Sequence, residues 1–341
     1  MTAQAERDAA RTRFLAAAGW GAARTETLAG DASARRYLRL HRPGGGTAVL
    51  MDAPPERGED VRPFLRIGRH LETLGLSPPA ILAEDAARGF LLLEDLGDDL
   101  YAAVLARAPE VGDTLYAAAI DLLVALHAHA PPEGLARYGP DAMAPLAGLA
   151  AEWYLPGVTG APAPGPAHSA LVATCRAALE RCAPETPVLV LRDYHAGNLL
   201  WLPGRAGVAR VGLLDYQDAR AGHPAYDLVS LLRDARRDVD PALRQTMTAR
   251  YVSATGQEPE RFAAACAALS AQRNLRILGV FARLWLRDGK PAYIDLIPRV
   301  WRHVQDDLAH PALAALHEVV DQTLPEPTPA GLDRLRARCP A

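Results

Sequence analysis

Lysine is nearly absent from this sequence of 341 residues. Lysine and arginine together number 37, and every one of them except Lys290 is an arginine. GC-rich coding explains such a preference, because exchanging lysine for arginine preserves the positive charge. The consequence for function is strict all the same: upstream of residue 290, no chemistry can depend on a lysine side chain.

Cysteine is also scarce, with four residues and no pair at the CxxC spacing. Because that spacing is typical of structural zinc sites, the sequence predicts neither a zinc site nor a disulfide framework. Cys175 and Cys182 lie seven residues apart, which corresponds to two turns of one helix. We interpret them as buried thiols and not as a redox pair.

Long apolar runs and a strong charge of either sign are missing as well. No segment approaches the ~20 apolar residues that span a bilayer. Glu6 and Asp8 interrupt the N-terminal segment, where a secretion signal would need an apolar stretch. The formal net charge of −3 gives no overall attraction to nucleic acid or to an anionic membrane. We therefore expect a cytoplasmic protein with a small-molecule partner and with no nucleic-acid or membrane partner.

Half of the residues are apolar, enough for a sizeable core, and their pattern in residues 1–95 is mixed. Residues 4–18 and 59–75 have helical periodicity. Residues 35–54 alternate as in a β-hairpin, and 89–97 form an apolar strand. This combination predicts a small β-rich lobe.

The remaining residues, 96–341, have a mostly helical pattern. Residues 113–130 place apolar side chains on one stripe of a helix, and helical periodicity continues from residue 226 to the end. A Pro/Gly stretch at 155–167 predicts neither regular helix nor central strand, and it is either a substrate lid or an inert connector. We therefore predict an α+β protein of two lobes divided near residue 95.

Polar residues with a definite spacing follow two short apolar strands at 188–191 and 211–214. Asp193 and Asn198 come five residues apart after the first strand, and Asp215 comes directly after the second. Phosphoryl transfer from ATP needs a carboxylate that orients the attacking hydroxyl and hard oxygen ligands for Mg²⁺. The three residues match the order and spacing in which kinases place those groups. The alternative is a polar loop in which Asp193 caps a turn and Asn198 adopts a left-handed conformation.

The same segments resemble a known family. The phrases "LRDYHAGNLLW", "GLLDYQDARAGHPAYDLVSLLRD" and "QRNLRILGVFARLWLRDGKPAY" are similar to the aminoglycoside phosphotransferase (APH) superfamily. With "GDASARRY" and "AVLMDAPP", they most resemble the anomeric N-acetylmuramate/N-acetylglucosamine kinases of bacterial cell-wall recycling. The resemblance covers most of the chain. It implies a two-lobed, protein-kinase-like fold, with an ATP-binding N-lobe (1–95) and a C-lobe (96–341) that carries the catalytic loop and the substrate site.

The resemblance further implies ATP and Mg²⁺ as cofactors and assigns a role to each matching residue. The matching positions are the catalytic base Asp193, the magnesium ligands Asn198 and Asp215, the adenine hinge Glu94, Asp95 and Leu96, and the phosphate loop Gly30–Ser33. All of these roles are expectations that depend on the resemblance.

Support for the catalytic loop is expected from two further residues. His195 occupies the place of the superfamily's second histidine and is interpreted as a hydrogen-bonding residue, whereas the usual first histidine is replaced by Leu191. Asp227 corresponds to the aspartate that holds the loop, and it is also placed to cap the helix that follows it. Arg192 contacts either the transferred phosphate or a substrate oxygen, or else it forms an ion pair on the loop.

One residue that kinases of this fold use is missing. They carry a lysine on the third strand to bind the ATP phosphates, and the matching position here is Met51. Coding bias explains arginine in place of lysine, but it does not explain an uncharged methionine. Either another cation takes over, with Arg35 and Arg36 nearest in sequence, or the protein is a nucleotide-binding pseudokinase. Both arginines also fit a plain role as solvated charges of a strand.

The acceptor is indicated by charge. Residues 260–310 contain eight lysines and arginines against five acids, which argues against a polycationic acceptor such as an aminoglycoside. A neutral or acidic acceptor fits better, and N-acetylmuramate carries a lactyl carboxylate. The polar residues expected to contact the acceptor there are Gln272, Arg273 and Asn274.

These observations predict ATP-dependent phosphorylation of the anomeric (C1) hydroxyl of N-acetylmuramate, N-acetylglucosamine or both, in peptidoglycan recycling. A kinase of another small alcohol, of the aminoglycoside, choline or homoserine type, is the alternative enzyme. A pseudokinase is the alternative from a different class. The sequence does not rank the two sugars, and it does not indicate an oligomeric state.

Overall fold

The computed structural model describes residues 3–28, 34–162, 165–184 and 187–338. The strands in these ranges are β1 (Arg24–Thr27), β2 (Arg36–His41), β3 (Thr47–Asp52), β4 (Ile81–Asp85), β5 (Phe90–Glu94), β6 (Arg137–Tyr138), β7 (Val188–Val190), β8 (Leu199–Trp201), β9 (Val211–Leu213) and β10 (Arg220–Gly222). The α-helices are α1 (Ala3–Ala17), α2 (Arg62–Thr73), α3 (Tyr101–Arg107), α4 (Gly112–His127), α5 (Pro140–Ala147), α6 (Leu155–Thr159), α7 (Gly165–Cys182), α8 (Ala225–Leu232), α9 (Pro241–Thr255), α10 (Pro259–Leu286), α11 (Ile297–Leu308), α12 (Ala314–Thr323) and α13 (Pro329–Ala337). An N-terminal antiparallel sheet followed by a largely helical C-terminal part confirms the predicted fold class.

Each of two compact units is built from two segments of the chain. The first unit combines Met1–Leu122 with Ala196–Ala219, and the second combines Leu123–His195 with Arg220–Ala341. The first unit therefore takes up the hairpin of β8 and β9 in addition to the N-terminal sheet. The lobe boundary at residue 95 stays a prediction.

The sheet of the first unit has the strand order β1-β2-β3-β5-β4 and is antiparallel throughout. The predicted hairpin is confirmed, because β2 pairs with β3 from Arg36 opposite Asp52 to His41 opposite Thr47. Three successive glycines with positive φ, Gly44 to Gly46, make the turn, which a side-chain-bearing residue would adopt only with strain. The outer strands β1 and β4 were not predicted from the sequence, and their residues are all partly or fully exposed.

Alternate residues of the central strands point to opposite faces of this sheet. On one face, Leu40, Leu50 and Phe90 form a buried cluster with Leu15 of α1 and with Trp20. Each such residue contributes about 1.5–3 kcal/mol when it leaves water. This face of the sheet is therefore covered by the N-terminal helix α1. The residues that alternate with Leu40, Leu50 and Phe90 along their strands point to the opposite face.

The Pro/Gly stretch at 155–167 differs from its prediction. It contains α6 and the start of α7, although neither helix was expected there. Proline is tolerated in the first turn of a helix, where its missing N–H has no intrahelical acceptor. Pro156 and Pro166 both occupy such positions, so they begin helices and do not interrupt them.

The helical prediction for residue 226 onward is confirmed by α8 to α13. Cys175 and Cys182 are buried on α7 as free thiols, as predicted. Burial raises the pKa of the Cys175 thiol to about 12, so this thiol stays protonated and unreactive near neutral pH. No helix in the described ranges is both long enough and apolar enough to cross a membrane.

Candidate active site

The loop after β7 is held by a buried carboxylate from α8. The backbone N–H groups of Leu191 and Arg192 donate hydrogen bonds of 2.6 and 2.9 Å to the two side-chain oxygens of Asp227. Ser230, one turn further along α8, donates its hydroxyl to the Arg192 carbonyl at 3.4 Å. These contacts fix the backbone directly before Asp193. Asp227 has the loop-holding position that the resemblance implied, and the N-cap of α8 is Pro224 instead.

Asp227 is fully buried, and its pKa reflects this. Burial raises the pKa of its carboxyl to about 7, and the charge of Asp193 adds to the shift, while the two backbone N–H groups oppose it. Asp193 itself is half-buried and lies in the electrostatic field of this carboxyl. The two acids therefore have different environments, and Asp193 is the less buried of the two.

Backbone strain marks two positions of the candidate site. Arg192 has φ 73° and Asp215 has φ 57°, and no other non-glycine residue in the described ranges has a positive φ. Left-handed conformations of such residues persist only where the surrounding structure enforces them, and they cluster at functional sites. The two predicted loops therefore carry the local geometry that is typical of active sites.

His195 lies on the same loop and is 7% exposed. Burial, with smaller contributions from the charges of Arg236 and Arg273, lowers the pKa of its imidazole to about 3. The ring is therefore neutral at physiological pH, so it can support the loop by hydrogen bonding but cannot supply a cation.

Asn198 and Asp215 meet in the first unit across the hairpin of β8 and β9. Their side chains approach to 3.5 Å between Asn198 Nδ2 and Asp215 Oδ2, and Leu214 N–H donates to the Asn198 carbonyl. Gln217 donates to the other oxygen of Asp215 at 2.6 Å. The amide oxygen of Asn198 and the carboxylate of Asp215 are the hard oxygen donors that Mg²⁺ prefers.

Tyr216, which directly follows Asp215, packs against α2 and so holds the segment that carries Asp215. Its ring stacks on Phe64 of α2 with 4.7 Å between centroids. A Cβ added to Gly68 would come within 2.7 Å of the Tyr216 hydroxyl, so only glycine allows this close approach. Helix α2 therefore positions the segment that carries Asp215.

The predicted adenine hinge also lies in the first unit. The side chain of Glu94 is already engaged by Arg205, at 2.6 Å, and its N–H donates to the Ala80 carbonyl. Asp95 forms an ion pair of 2.9 Å with Arg39. In contrast, the backbone N–H and C=O of Leu96 bond to no described residue. Of the three hinge residues, Leu96 thus offers the donor and acceptor that an adenine edge requires.

The phosphate loop Gly30–Ser33 lies outside the described residues. Directly after it, Glu59 receives hydrogen bonds from the Ala34 N–H and from the Arg35 guanidinium, at 3.0 and 2.7 Å. Burial alone would lower the pKa of Arg35, but Glu59 and Tyr37 raise it overall, so the guanidinium stays charged. Glu59 could not be identified from the sequence, because only the fold brings it to Arg35.

The two candidate cations differ in the face of the sheet that they occupy. Arg36 shares the face of Leu38 and Leu40, and that face is covered by α1. Met51 belongs to the opposite face and is 1% exposed. Tyr37 of β2 pairs with Met51. Arg35 lies two residues before Tyr37, so the alternation of the strand assigns Arg35 to the face of Met51. This placement favours Arg35 over Arg36 as the cation that replaces the missing lysine.

The residues expected to contact the acceptor are placed less favourably. Gln272 and Asn274 are fully buried; Gln272 donates to the Met143 carbonyl, and Asn274 donates to Ser270 and Asp307. Their placement argues against direct contact with a substrate. Arg273 is 5% exposed and donates to a backbone carbonyl of residue 233.

A different group of side chains lies beside the loop in the second unit. The guanidinium of Arg192 lies over the ring of Tyr138, 5.0 Å from its centroid. Arg276, one turn after Arg273 on α10, donates to the hydroxyls of Tyr138 and Tyr226. Arg276 and both tyrosines were not predicted as site residues from the sequence. The one signal for Arg276 was its position three residues after Arg273, which places both arginines on the same side of α10.

Comparison with known protein families identifies relatives of this chain. A family model described as "Phosphotransferase enzyme family" matches residues 24–265. A protein of Caulobacter vibrioides named N-acetylmuramate/N-acetylglucosamine kinase is 40% identical over 96% of this chain and 99% of its own length. A protein of the same name from Pseudomonas aeruginosa is 33% identical over 92% of this chain and 93% of its own length.

Solved structures extend the likeness to the fold. A choline/ethanolamine kinase family protein from Mesorhizobium loti matches with a TM-score of 0.60 at 16% identity, covering 96% of this chain and 98% of the other. A choline kinase from Streptococcus pneumoniae matches with a TM-score of 0.61 at 12% identity, covering 88% and 99%. At such low identities, the likeness concerns the fold alone.

Proposed function

This chain belongs to the phosphotransferase enzyme family, and from that premise we propose that it uses ATP to phosphorylate the anomeric C1 hydroxyl of N-acetylmuramate and N-acetylglucosamine. The observation that carries the proposal is the 40% identity over nearly the full length of a relative with that name. The reaction belongs in the cytoplasm, where ATP is available, and it would serve peptidoglycan recycling.

In this reaction, Asp193 acts on the acceptor. Its carboxylate accepts a hydrogen bond from the C1 hydroxyl and orients that oxygen for in-line attack on the γ-phosphorus. As the new P–O bond forms, the bond to the bridging oxygen of ADP breaks, and Asp193 takes the hydroxyl proton. The bonds from Leu191 and Arg192 to Asp227 support this role, because they fix the backbone that presents the carboxylate.

The nucleotide is bound by residues of the first unit. Adenine would pair with the backbone N–H and C=O of Leu96, and the phosphates would lie beside the Asn198–Asp215 pair. The paired oxygen donors of Asn198 and Asp215 suit Mg²⁺, which usually takes one or two protein ligands and completes its shell with water and phosphate oxygens. Asn198 and Asp215 would hold a Mg²⁺ ion that, when bound, would neutralise the charge that develops on the phosphates.

Arg35 is the proposed cation for the ATP phosphates. Arg35→Ala should raise the KM for ATP by ~10-fold or more, because a charged hydrogen bond contributes ~1.5–3 kcal/mol. Arg36→Ala is the matched control, and it should change this KM by less than about twofold, since Arg36 is exposed on the α1 face. Steady-state kinetics at saturating sugar measures both constants. A larger effect from Arg36→Ala would reverse the assignment.

The function itself is tested by a substrate panel. The protein is incubated with ATP, Mg²⁺ and, separately, N-acetylmuramate, N-acetylglucosamine, choline, homoserine and an aminoglycoside. Phosphorus NMR of the products should show a new phosphate coupled to the anomeric proton of the two amino sugars. Transfer to another sugar hydroxyl, or to choline, homoserine or the aminoglycoside alone, would overturn the proposed function.

A further inference from the structure

Arg276 is fixed in an orientation by two tyrosines. Its Nη1 donates to the hydroxyls of Tyr138 and Tyr226 at 3.3 and 3.4 Å. The two tyrosines come from β6 and α8, and their rings meet edge to face with 5.0 Å between centroids. Three segments that are distant in sequence thus converge to hold one guanidinium, which is more order than a solvated surface arginine has.

The opposite edge of the same guanidinium is available for a ligand. Arg276 is only partly buried, and its Nε and Nη2 donate to no side chain or backbone group that the structure describes. These two nitrogens form the planar fork that binds a carboxylate through two parallel hydrogen bonds. By contrast, Arg273 on the same helix is almost fully buried. Arg287, directly after the helix, donates from both its Nε and its Nη2 to the carboxylate of Asp288.

The position of this fork relates it to the proposed acceptor. Arg192, which directly precedes Asp193, lies over the ring of Tyr138, so two guanidiniums share one tyrosine. Burial by itself would lower the pKa of Arg276, but Tyr226, Tyr138 and the carboxylate of Asp193 raise it overall. Arg276 therefore stays charged and lies in the field of the residue that would activate the C1 hydroxyl.

N-acetylmuramate and N-acetylglucosamine differ in one group that such a site would distinguish. At C3 of the sugar ring, N-acetylmuramate carries a lactyl ether that ends in a carboxylate, whereas N-acetylglucosamine carries a neutral hydroxyl at C3. The hydroxyl that is phosphorylated is at C1 of the same ring. We infer that Arg276 binds the lactyl carboxylate of N-acetylmuramate and gives this protein its preference for that sugar over N-acetylglucosamine. The inference rests on the proposed function. Tyr138 and Tyr226 are positioning residues for this guanidinium.

The test compares both sugars in one set of variants. Arg276→Gln should lower kcat/KM for N-acetylmuramate by ~10- to 100-fold, the size expected for a lost charged hydrogen bond. The same variant should change kcat/KM for N-acetylglucosamine by less than about threefold. Arg276→Lys, which keeps the charge but lacks the fork, should fall between wild type and Arg276→Gln. Arg287→Gln, at an exposed position directly after the end of α10, serves as the control and should leave kcat/KM for both sugars unchanged.

The outcomes separate this inference from the proposed function. Equal losses for the two sugars would overturn the inference, because they would show a general effect on the loop or the fold. Wild-type protein that phosphorylates only N-acetylglucosamine would also overturn it, while the amino-sugar function would stand. Wild-type protein that phosphorylates neither sugar would refute the proposed function itself. Should Arg276→Gln fail to fold, Tyr138→Phe provides the comparison, with a several-fold loss confined to N-acetylmuramate.

Discussion

Asp193→Asn is expected to lower kcat by ~10²- to 10⁴-fold, the usual contribution of a positioned general base. The amide has almost the same shape as the carboxylate, but it cannot accept a proton from the C1 hydroxyl. The KM for ATP should change little, since the residues proposed to bind the nucleotide belong to the other unit. ADP release, measured in a coupled assay at saturating substrates, reports kcat.

Asp141→Asn is the matched control for this change, because it removes an exposed carboxylate from the same unit. It should leave turnover unchanged. The thermal unfolding midpoint of both variants should stay within a few degrees of wild type, since neither carboxylate is deeply buried. Turnover of Asp193→Asn close to that of wild type would remove Asp193 from the role of base.

Asp215→Ala is expected to reduce Mg²⁺-dependent turnover by ~10³-fold or more, because it removes the one charged oxygen donor of the proposed magnesium pair. Alanine also adopts the left-handed conformation of position 215 less readily than aspartate does. The effect of Asp215→Ala therefore mixes loss of the ligand with strain in the backbone.

Asp215→Asn separates the two contributions. Asparagine tolerates the left-handed conformation and keeps an amide oxygen, but it has no negative charge. It should fold as wild type does and still require a much higher Mg²⁺ concentration for half-maximal rate. A titration of rate against Mg²⁺ measures this requirement. An unchanged half-saturation concentration in both variants would assign the metal to other residues.

The loops of the candidate site could be predicted because their residues are close in sequence. The spacing of Asp193, Asn198 and Asp215 after short apolar strands predicted the loops on which these residues are found. Asp227 was identified through the resemblance, and in the structure its carboxylate accepts hydrogen bonds from two backbone N–H groups of the loop. Alternation along β2 and β3 predicted the hairpin, since one face of those strands is buried.

The parts that escaped prediction depend on contacts between distant segments. Gln272 and Asn274 are polar residues in a long helix, and nothing local shows that their side chains point into the core, whereas Arg276 on the same helix meets two tyrosines. Glu59 reaches Arg35 only after the chain has folded. Hydrophobic periodicity predicts where a helix lies. The role of each polar residue in that helix depends on which side chains of other helices and strands it contacts, and the local sequence does not show those contacts.

Met51 has a practical consequence for chemical labelling. Reactive nucleotide probes that acylate the phosphate-binding lysine of kinases would find a buried thioether at that position, and the first unit contains no lysine side chain at all. An activity screen based on such probes would overlook this protein. The scarcity of lysine also makes Lys290, which lies in the second unit, a nearly unique handle for attaching a fluorophore.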